Sequence, residues 1–286
     1  MNSEFLRKNK YIIIGLGLVI IIISASIGIF FAIFSNSNLH PPIIIESDDD
    51  FLIYDFAGNG TQDNPYIIQD FRIGASGADS VGIYVTNTDS FFIIKNCLIY
   101  SDFIGIQLED VAVGTAWIIN NTCISKTGDG GGIGLGTTTN CSIINNLCSN
   151  FMQGIHLNYA SHCLIKSNII ENNNYQGINI RYSSYNVIIN NTVKNCPQHG
   201  IALVGNANSN KIYNNILIDN AQSETYNVDG RLTGTINSQA FDEGNNNCWY
   251  DDVNKKGNWW SDYQEIGNYS IDGPAGTFDI YPNDIN

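Results

Sequence analysis

The chain has 286 residues, a formal net charge of −14, 27 Gly, 6 Pro and an abundance of Asn and Ile. That length can bury the core of a large domain, and the composition excludes collagen and a disordered linker. The charge argues against nucleic acid as a partner, because an acidic body repels phosphates.

Residues 1–10 carry Arg7, Lys8 and Lys10 against Glu4 and are expected to be a cytoplasmic N-terminus. Tyr11 to Phe34 is an unbroken apolar run. As an α-helix it would reach roughly 36 Å, enough for a hydrocarbon layer of about 30 Å. Ser24-Ala25-Ser26 would suit a signal-peptide cleavage site, but Ile27 to Phe34 stays apolar beyond it. The expectation is therefore a single transmembrane anchor over 11–34, followed by a linker over 35–50. Glu46, Asp48, Asp49 and Asp50 follow the run, so the positive-inside bias places the body outside the cytoplasm, as in a single-pass cell-surface protein.

A repeat fills the next two hundred residues. Gly-Ile pairs start at Gly82, Gly105, Gly132, Gly154, Gly177 and Gly200, and each opens a short Gly-Ile-x-aliphatic segment. Period-two alternation puts both apolar residues of such a segment on one face of a strand. A second motif lies between these segments: Asn96, Asn121, Asn146, Asn168, Asn191 and Asn215, each with Ile three residues earlier and an apolar residue two later. No 3.6-residue period is present, so helical faces are excluded. Three short strands per turn, wound into stacked parallel coils over 51–240, satisfy both motifs. Asn fits an inward bend, since its amide can donate to one coil and accept from another. The structural ladder is predicted at those six asparagines.

Two flanking stretches sharpen this reading. Gly58-Asn59-Gly60-Thr61 with Asn64-Pro65-Tyr66-Ile67-Ile68 precedes the repeat; Asn247-Cys248-Trp249, Gly257-Asn258-Trp259-Trp260-Ser261-Asp262-Tyr263 and Asp279-Ile280-Tyr281-Pro282 follow it. Together with the repeats they resemble the NosD-like and CASH (carbohydrate-binding and sugar-hydrolase) group of parallel β-helix proteins, archaeal membrane-anchored surface members included. The resemblance implies an all-β, single-stranded right-handed parallel β-helix of pectin-lyase-like type with about 7–8 rungs. It also implies ligand binding along an exposed sheet face. Copper handling, attached to the NosD name, would need soft or imidazole ligands in a cluster; His40, His156, His162 and His199 are scattered.

The outward positions of the Gly-Ile strands run Tyr84/Thr86, Gln107/Glu109, Gly134/Gly136, His156/Asn158, Asn179/Arg181 and Ala202/Val204. Gly134 and Gly136 would leave a side-chain-free notch. Gln107 and Glu109 flank it on one side; His156, Asn158, Asn179 and Arg181 flank it on the other. A sugar ring would fit there. Glycoside hydrolysis requires a carboxylate pair, and Glu109 has no acidic neighbour in its column. A uronate lyase needs a base and a stabilising cation, for which His156 with Arg181 is the nearest match.

Residues 241–286 are rich in aromatics, including Trp249, Trp259, Trp260 and Tyr269. They are read as a cap over the exposed edge at the end of the coil, with a second sugar platform as the rival. Calcium could bind near Asp242, Glu243, Asp251 and Asp252, although no EF-hand or RTX pattern supports it. Cys123/Cys148 and Cys141/Cys163 should stack as free thiols, because parallel Cβ vectors disfavour a disulfide. Asn120 and Asn190 head Asn-x-Thr sequons and are the expected N-glycosylation acceptors. The favoured function is a cell-surface protein binding carbohydrate or contributing to the envelope without catalysis. Its rivals are a polysaccharide lyase, hydrolase or epimerase, and an adhesin-like spacer. An envelope glycan is the expected partner, and nothing in the sequence identifies a protein partner.

Overall fold

The computed structural model describes residues 39–228, 232–264 and 266–282. The apolar run over 11–34, and with it the expected anchor, lies outside them. Among the described residues no helix is long and apolar enough to cross a membrane.

From residue 40 on, the described residues form a right-handed parallel β-helix. Three sheets carry it. The Gly-Ile sheet has eight strands, the second sheet, which carries the isoleucine ladder, has seven, and the third has eight. Every strand pair in the three is parallel and in register, with Ile83, Ile106, Ile133, Ile155, Ile178 and Ile201 stacked in one column. Ile118, Ile143, Ile165, Ile188 and Ile212 stack in another. All of these side chains are buried. Each coil alone buries only a few aliphatics, so the core exists because neighbouring coils lie about 4.8 Å apart and close on one another.

The Gly-Ile repeat makes about six turns, and further strands extend the coil at both ends. Ile43–Ile45 adds a strand to the Gly-Ile sheet at one edge, and Ala240–Asp242 adds one at the other. Trp259–Trp260 continues the third sheet beyond residue 240. A short helix at Asp50–Ile53 buries Phe51 against Tyr66 and closes the first coil.

The asparagine ladder is built as expected from Asn121 onward. The Nδ2 of Asn146 donates to Asn168 Oδ1 (3.0 Å), that of Asn168 to Asn191 Oδ1 (2.9 Å) and that of Asn191 to Asn215 Oδ1 (2.9 Å). The same side chains also donate to the carbonyls of Ile118, Ile143 and Ile165, which the bend would otherwise orphan. Asn96 is a correction. The first full turn is shifted by one residue: Ile94, not Ile93, pairs with Ile118, and Ile99, not Leu98, pairs with Cys123. Asn96 is exposed with φ 54°, in the column of Asn120, Asn145 and Asn190, and Cys97 occupies the inward position. Asn-Asn pairs thus divide two tasks. The first residue takes the left-handed backbone, which Asn tolerates better than other non-glycine residues, and the second feeds the ladder.

The ladder also extends further than the repeat. Asn215 donates to Asn258 Oδ1 (2.9 Å), and the backbone N–H of Asn258 meets Asp279 Oδ2 at 2.6 Å. A parallel ladder at another bend links Asn186, Asn210 and Asn247 and ends on Asp242. Burial raises the Asp279 carboxyl above its ordinary value, against hydrogen bonds that hold it down.

Candidate functional site

The outer face of the Gly-Ile sheet is open over only part of its length. At the C-terminal end a hairpin, Thr225–Val228 paired with Leu232–Thr235, packs its Tyr226 against Ala202, Val204 and Phe241 of the sheet. Ala202, Val204 and His199 are buried there, with the His199 ring 5.4 Å from Tyr226 and 5.3 Å from Phe241 and its Nε2 3.1 Å from Asp272 Oδ2. Ala202 and Val204, expected outside, belong to this covered patch. The repeat could not foretell it, because the covering hairpin is not part of the repeat.

The centre of the open face is the strand Gly131–Gly136, whose six residues are all buried. In register, Gly134 lies between Gln107 and His156, and Gly136 lies between Glu109 and Asn158. The expected notch is therefore in place but partly filled. The His156 imidazole lies back across the glycine strand, so that a Cβ at Gly131 would collide with its Nδ1 and a Cβ at Gly134 with its Nε2. The Gln107 Oε1 occupies the same space from the other flank, against Gly134. Absent side chains at Gly131 and Gly134 are what allow both groups to fold down.

Two atoms in this arrangement lack partners. His156 Nδ1 and Gln107 Oε1 are both buried without a hydrogen bond, although Gln107 Nε2 donates to the Leu108 carbonyl at 3.3 Å. A buried polar atom left unpaired costs roughly 1–3 kcal/mol, and such atoms in a native fold call for an explanation. Burial also disfavours the charged imidazole and brings His156 down from 6.5 to about 4. The ring is accordingly neutral at pH 7. In the tautomer with its proton on Nε2, Nδ1 would present a bare lone pair.

The remaining expected residues divide. Glu109 lies against the open space above Gly136, its Oε1 3.2 Å from where a Cβ would sit. Asn158 is exposed beside it. Asn179 turns its amide to Gln176 Oε1, which also receives Gln153 Nε2 at 3.3 Å. Arg181 is not brought to His156. It stands one coil on and two residues along, with its guanidinium 5.1 Å from the Tyr182 ring centroid. In register it is Asn179, not Arg181, that stands beside His156. On the entry side of the same strands a cleft of about 450 Å³ opens between Asp102, Phe103, Asp129, Gly130 and Met152.

The calcium expectation finds no site. Asp242 accepts from Trp249 Nε1, Asn247 Nδ2, the Gly244 N–H and Thr277 Oγ1. Glu243 caps the Gly205 N–H, and Asp251 closes a local turn with Val253 and Asn254. Protein donors already occupy these carboxylates, and among the described residues no three metal-binding side chains converge. Three of the cap aromatics are internal: Trp249, Trp260 and Tyr269 are buried, and Trp260 stacks on Tyr269 at 4.0 Å. All seven cysteines are free, and Cys123 pairs in register with Cys148. Asn120 and Asn190 are exposed at left-handed bends, with φ 56° and 59°.

Several solved structures are similar to this chain, three of them as follows. The periplasmic alginate epimerase AlgG shares 18% identity at a TM-score of 0.45, over 67% of this chain and 53% of that one. DFA-IIIase from Arthrobacter chlorophenolicus A6, in complex with DFA-III, shares 15% at 0.47, over 82% and 52%. The catalytic domain of a GH87 alpha-1,3-glucanase, in complex with tetrasaccharides, shares 14% at 0.39, over 65% and 40%. The chain spans about half of these proteins or less, and the likeness is one of fold alone. No curated protein matches the chain in sequence. Residues 81–262 match the sequence model of the right handed beta helix region, and the chain belongs to that family.

Proposed function

We propose that this protein acts on a polysaccharide lying across the open part of the Gly-Ile face, with His156 as the group that meets the reacting sugar. One observation carries the proposal. Two buried polar atoms without partners, Gln107 Oε1 and His156 Nδ1, flank a strand whose outward positions, Gly134 and Gly136, carry no side chains. A ligand dense in hydroxyl groups can supply donors to both, and a flat strip of glycine backbone admits a sugar ring. The strip is bordered by the cleft at Asp102 and Phe103 on the entry side and by Glu109 and Asn158 on the exit side.

The chemistry that suits these residues is proton transfer rather than hydrolysis. A carboxylate pair at glycosidase spacing is not offered by the outward Gly-Ile columns, where Glu109 is the acidic member. A neutral imidazole can accept a proton from a sugar carbon next to a carboxylate, as a lyase or epimerase requires. Its depressed proton affinity makes it a weak base until a bound anion raises it. Non-catalytic binding is the second reading, favoured by the engagement of Arg181 with Tyr182 instead of His156. An envelope location and a membrane anchor over 11–34 belong to the proposal as well, as does glycosylation at Asn120 and Asn190.

Incubating the full chain with neutral and uronate polysaccharides separates the readings. Unsaturated chain ends report a lyase, and solvent deuterium in an uncut polymer reports an epimerase. New reducing ends alone would mean hydrolysis and overturn the role given to His156. Binding without product leaves the second reading. Gly134→Ala, which displaces both His156 and Gln107, should abolish whichever activity is found; full activity in that variant would remove the site from this face.

A further inference from the structure

We infer that Tyr159 is the floor of a sugar-stacking subsite for an uncharged pyranose, adjoining the site proposed above at the exit end of the same strands. The inference rests on the glycan reading and adds to it a position and a substrate class. It starts from backbone strain. At the bend following the Gly-Ile strands one column of residues is left-handed: Asn87, Asp110, Thr137, Tyr159, Tyr182 and Gly205, with φ between 47° and 67°. Asn, Asp and Gly are the residues this conformation accommodates at least cost, and a bulky side chain there is an outlier worth explaining. Tyr159 and Tyr182 are two such side chains in succession. His162 and Tyr185 repeat the feature three residues on, with φ 58° and 61°.

Packing does not account for them. Tyr159 is 59% exposed and Tyr185 57% exposed. The rings stack instead along the helix axis: Tyr159 on Tyr182 at 5.0 Å and 16°, His162 on Tyr185 at 5.0 Å and 6°. These separations match the coil spacing, so each ring lies directly over its counterpart in the next coil.

The stack has one open end on the side of the glycine strand. Tyr182 is covered by Tyr159 on one face and by Gly205 on the other, close enough that a Cβ at Gly205 would collide with the ring. Tyr159 has Tyr182 on one face only. Its other face looks toward the preceding coil, where Gly136 and Thr137 stand in register with Asn158 and Tyr159. No large side chain occupies that level. Across it stand Glu109 and Asp110, the residues in register with Gly136 and Thr137 from the coil before. The result is a shelf one coil deep, with an aromatic wall and a carboxylate wall.

A pyranose ring fits this shelf as the next member of the stack. Its axial C–H bonds would meet the electron-rich face of Tyr159, and its hydroxyls would donate to Glu109 and Asp110, which as carboxylates only accept. The same two carboxylates repel a uronate at this position. The subsite thus selects an uncharged sugar, even where the residue at His156 is acidic.

The test measures binding of cellohexaose, mannohexaose and maltohexaose to the full chain by calorimetry, with hexagalacturonate as the charged counterpart. Tyr159→Asn is the informative variant, because Asn suits the left-handed bend and leaves the fold intact. We expect at least one neutral hexasaccharide to bind, to lose about tenfold in affinity in Tyr159→Asn, on the scale of one lost stacking contact, and to recover in Tyr159→Phe. Unchanged affinity in Tyr159→Asn overturns the subsite. Binding of hexagalacturonate alone, lost in Gly134→Ala but kept in Tyr159→Asn, overturns the subsite and leaves the glycan reading standing. If no saccharide binds the wild-type chain, both fall.

Discussion

Two regions of this protein are rich in aromatic side chains, and they use them oppositely. In the C-terminal cap, Trp249, Trp260 and Tyr269 are buried and hydrogen-bonded: Trp260 Nε1 donates to Asp279, Trp249 Nε1 to Asp242, and the Tyr269 hydroxyl to Asp262. At the bend after the Gly-Ile strands, Tyr159 and Tyr185 stand in solvent on strained backbone. Density of aromatics in the sequence pointed to the cap as the rival sugar platform, yet the rings open to a ligand lie elsewhere. What separates the two regions is whether the polar end of each ring has a partner. In the cap the polar ends of these three rings close a network over the last coil; at the bend Tyr159 and Tyr185 stack only on the ring of a neighbouring coil.

The largest way to sharpen that contrast is Trp260→Ala. Removing a fully buried indole from the end of the coil should cost about 3–5 kcal/mol, read as a drop in the urea midpoint. A loss below 1 kcal/mol would mean that the cap does not hold the coil closed. Next is Asn168→Ala in the middle of the ladder, which orphans the Asn146 N–H and the Ile143 carbonyl. At about 1–3 kcal/mol for each buried group, the expected loss is about 2–6 kcal/mol. The exposed Asn96, outside the ladder, should tolerate the change to Asp within about 0.5 kcal/mol.

A smaller effect is carried by pH. His156 titrates near 4 in the folded chain against 6.5 in the unfolded one, so between these values the unfolded state holds the extra proton. Stability is fully present above pH 6.5 and declines as pH falls toward 4. The His156→Asn variant should flatten that slope in denaturation midpoints taken across the window; an unchanged slope would mean that the imidazole is not desolvated over the glycine strand. Smallest of all is the effect of Tyr159→Asn on stability, expected within about 0.5 kcal/mol because the ring buries little and Asn suits the bend. A loss as large as that of Trp260→Ala would make the two aromatic regions alike and return Tyr159 to a structural role.

How much of this was legible beforehand follows from which interactions repeat. The Gly-Ile columns and the ladder from Asn121 to Asn215 were readable because each coil must present the same residue at the same place. The slip at Ile93 and Asn96 shows the limit. Adjacent Asn residues are interchangeable in a spacing argument, and only pairing with the next coil told which one turned inward. The site was half readable. Gln107, Glu109, Gly134, Gly136 and His156 share the face as register required, whereas Arg181 was drawn off by Tyr182. Asp279 was read as part of the exit segment, but its role in ending the ladder was not, because its partner Asn258 lies 21 residues away outside any repeat.

By itself the sequence determined the coil: a strict period in isoleucine, glycine and asparagine can be satisfied in all turns at once only by stacking equivalent residues about 4.8 Å apart. Only the tertiary structure decided which parts of the surface remain open. The hairpin over Ala202 and Val204, the imidazole folded onto the glycine strand and the free face of Tyr159 each depend on a side chain from another coil or from outside the repeat. Such contacts obey local space and hydrogen bonding, and a period carries no record of them.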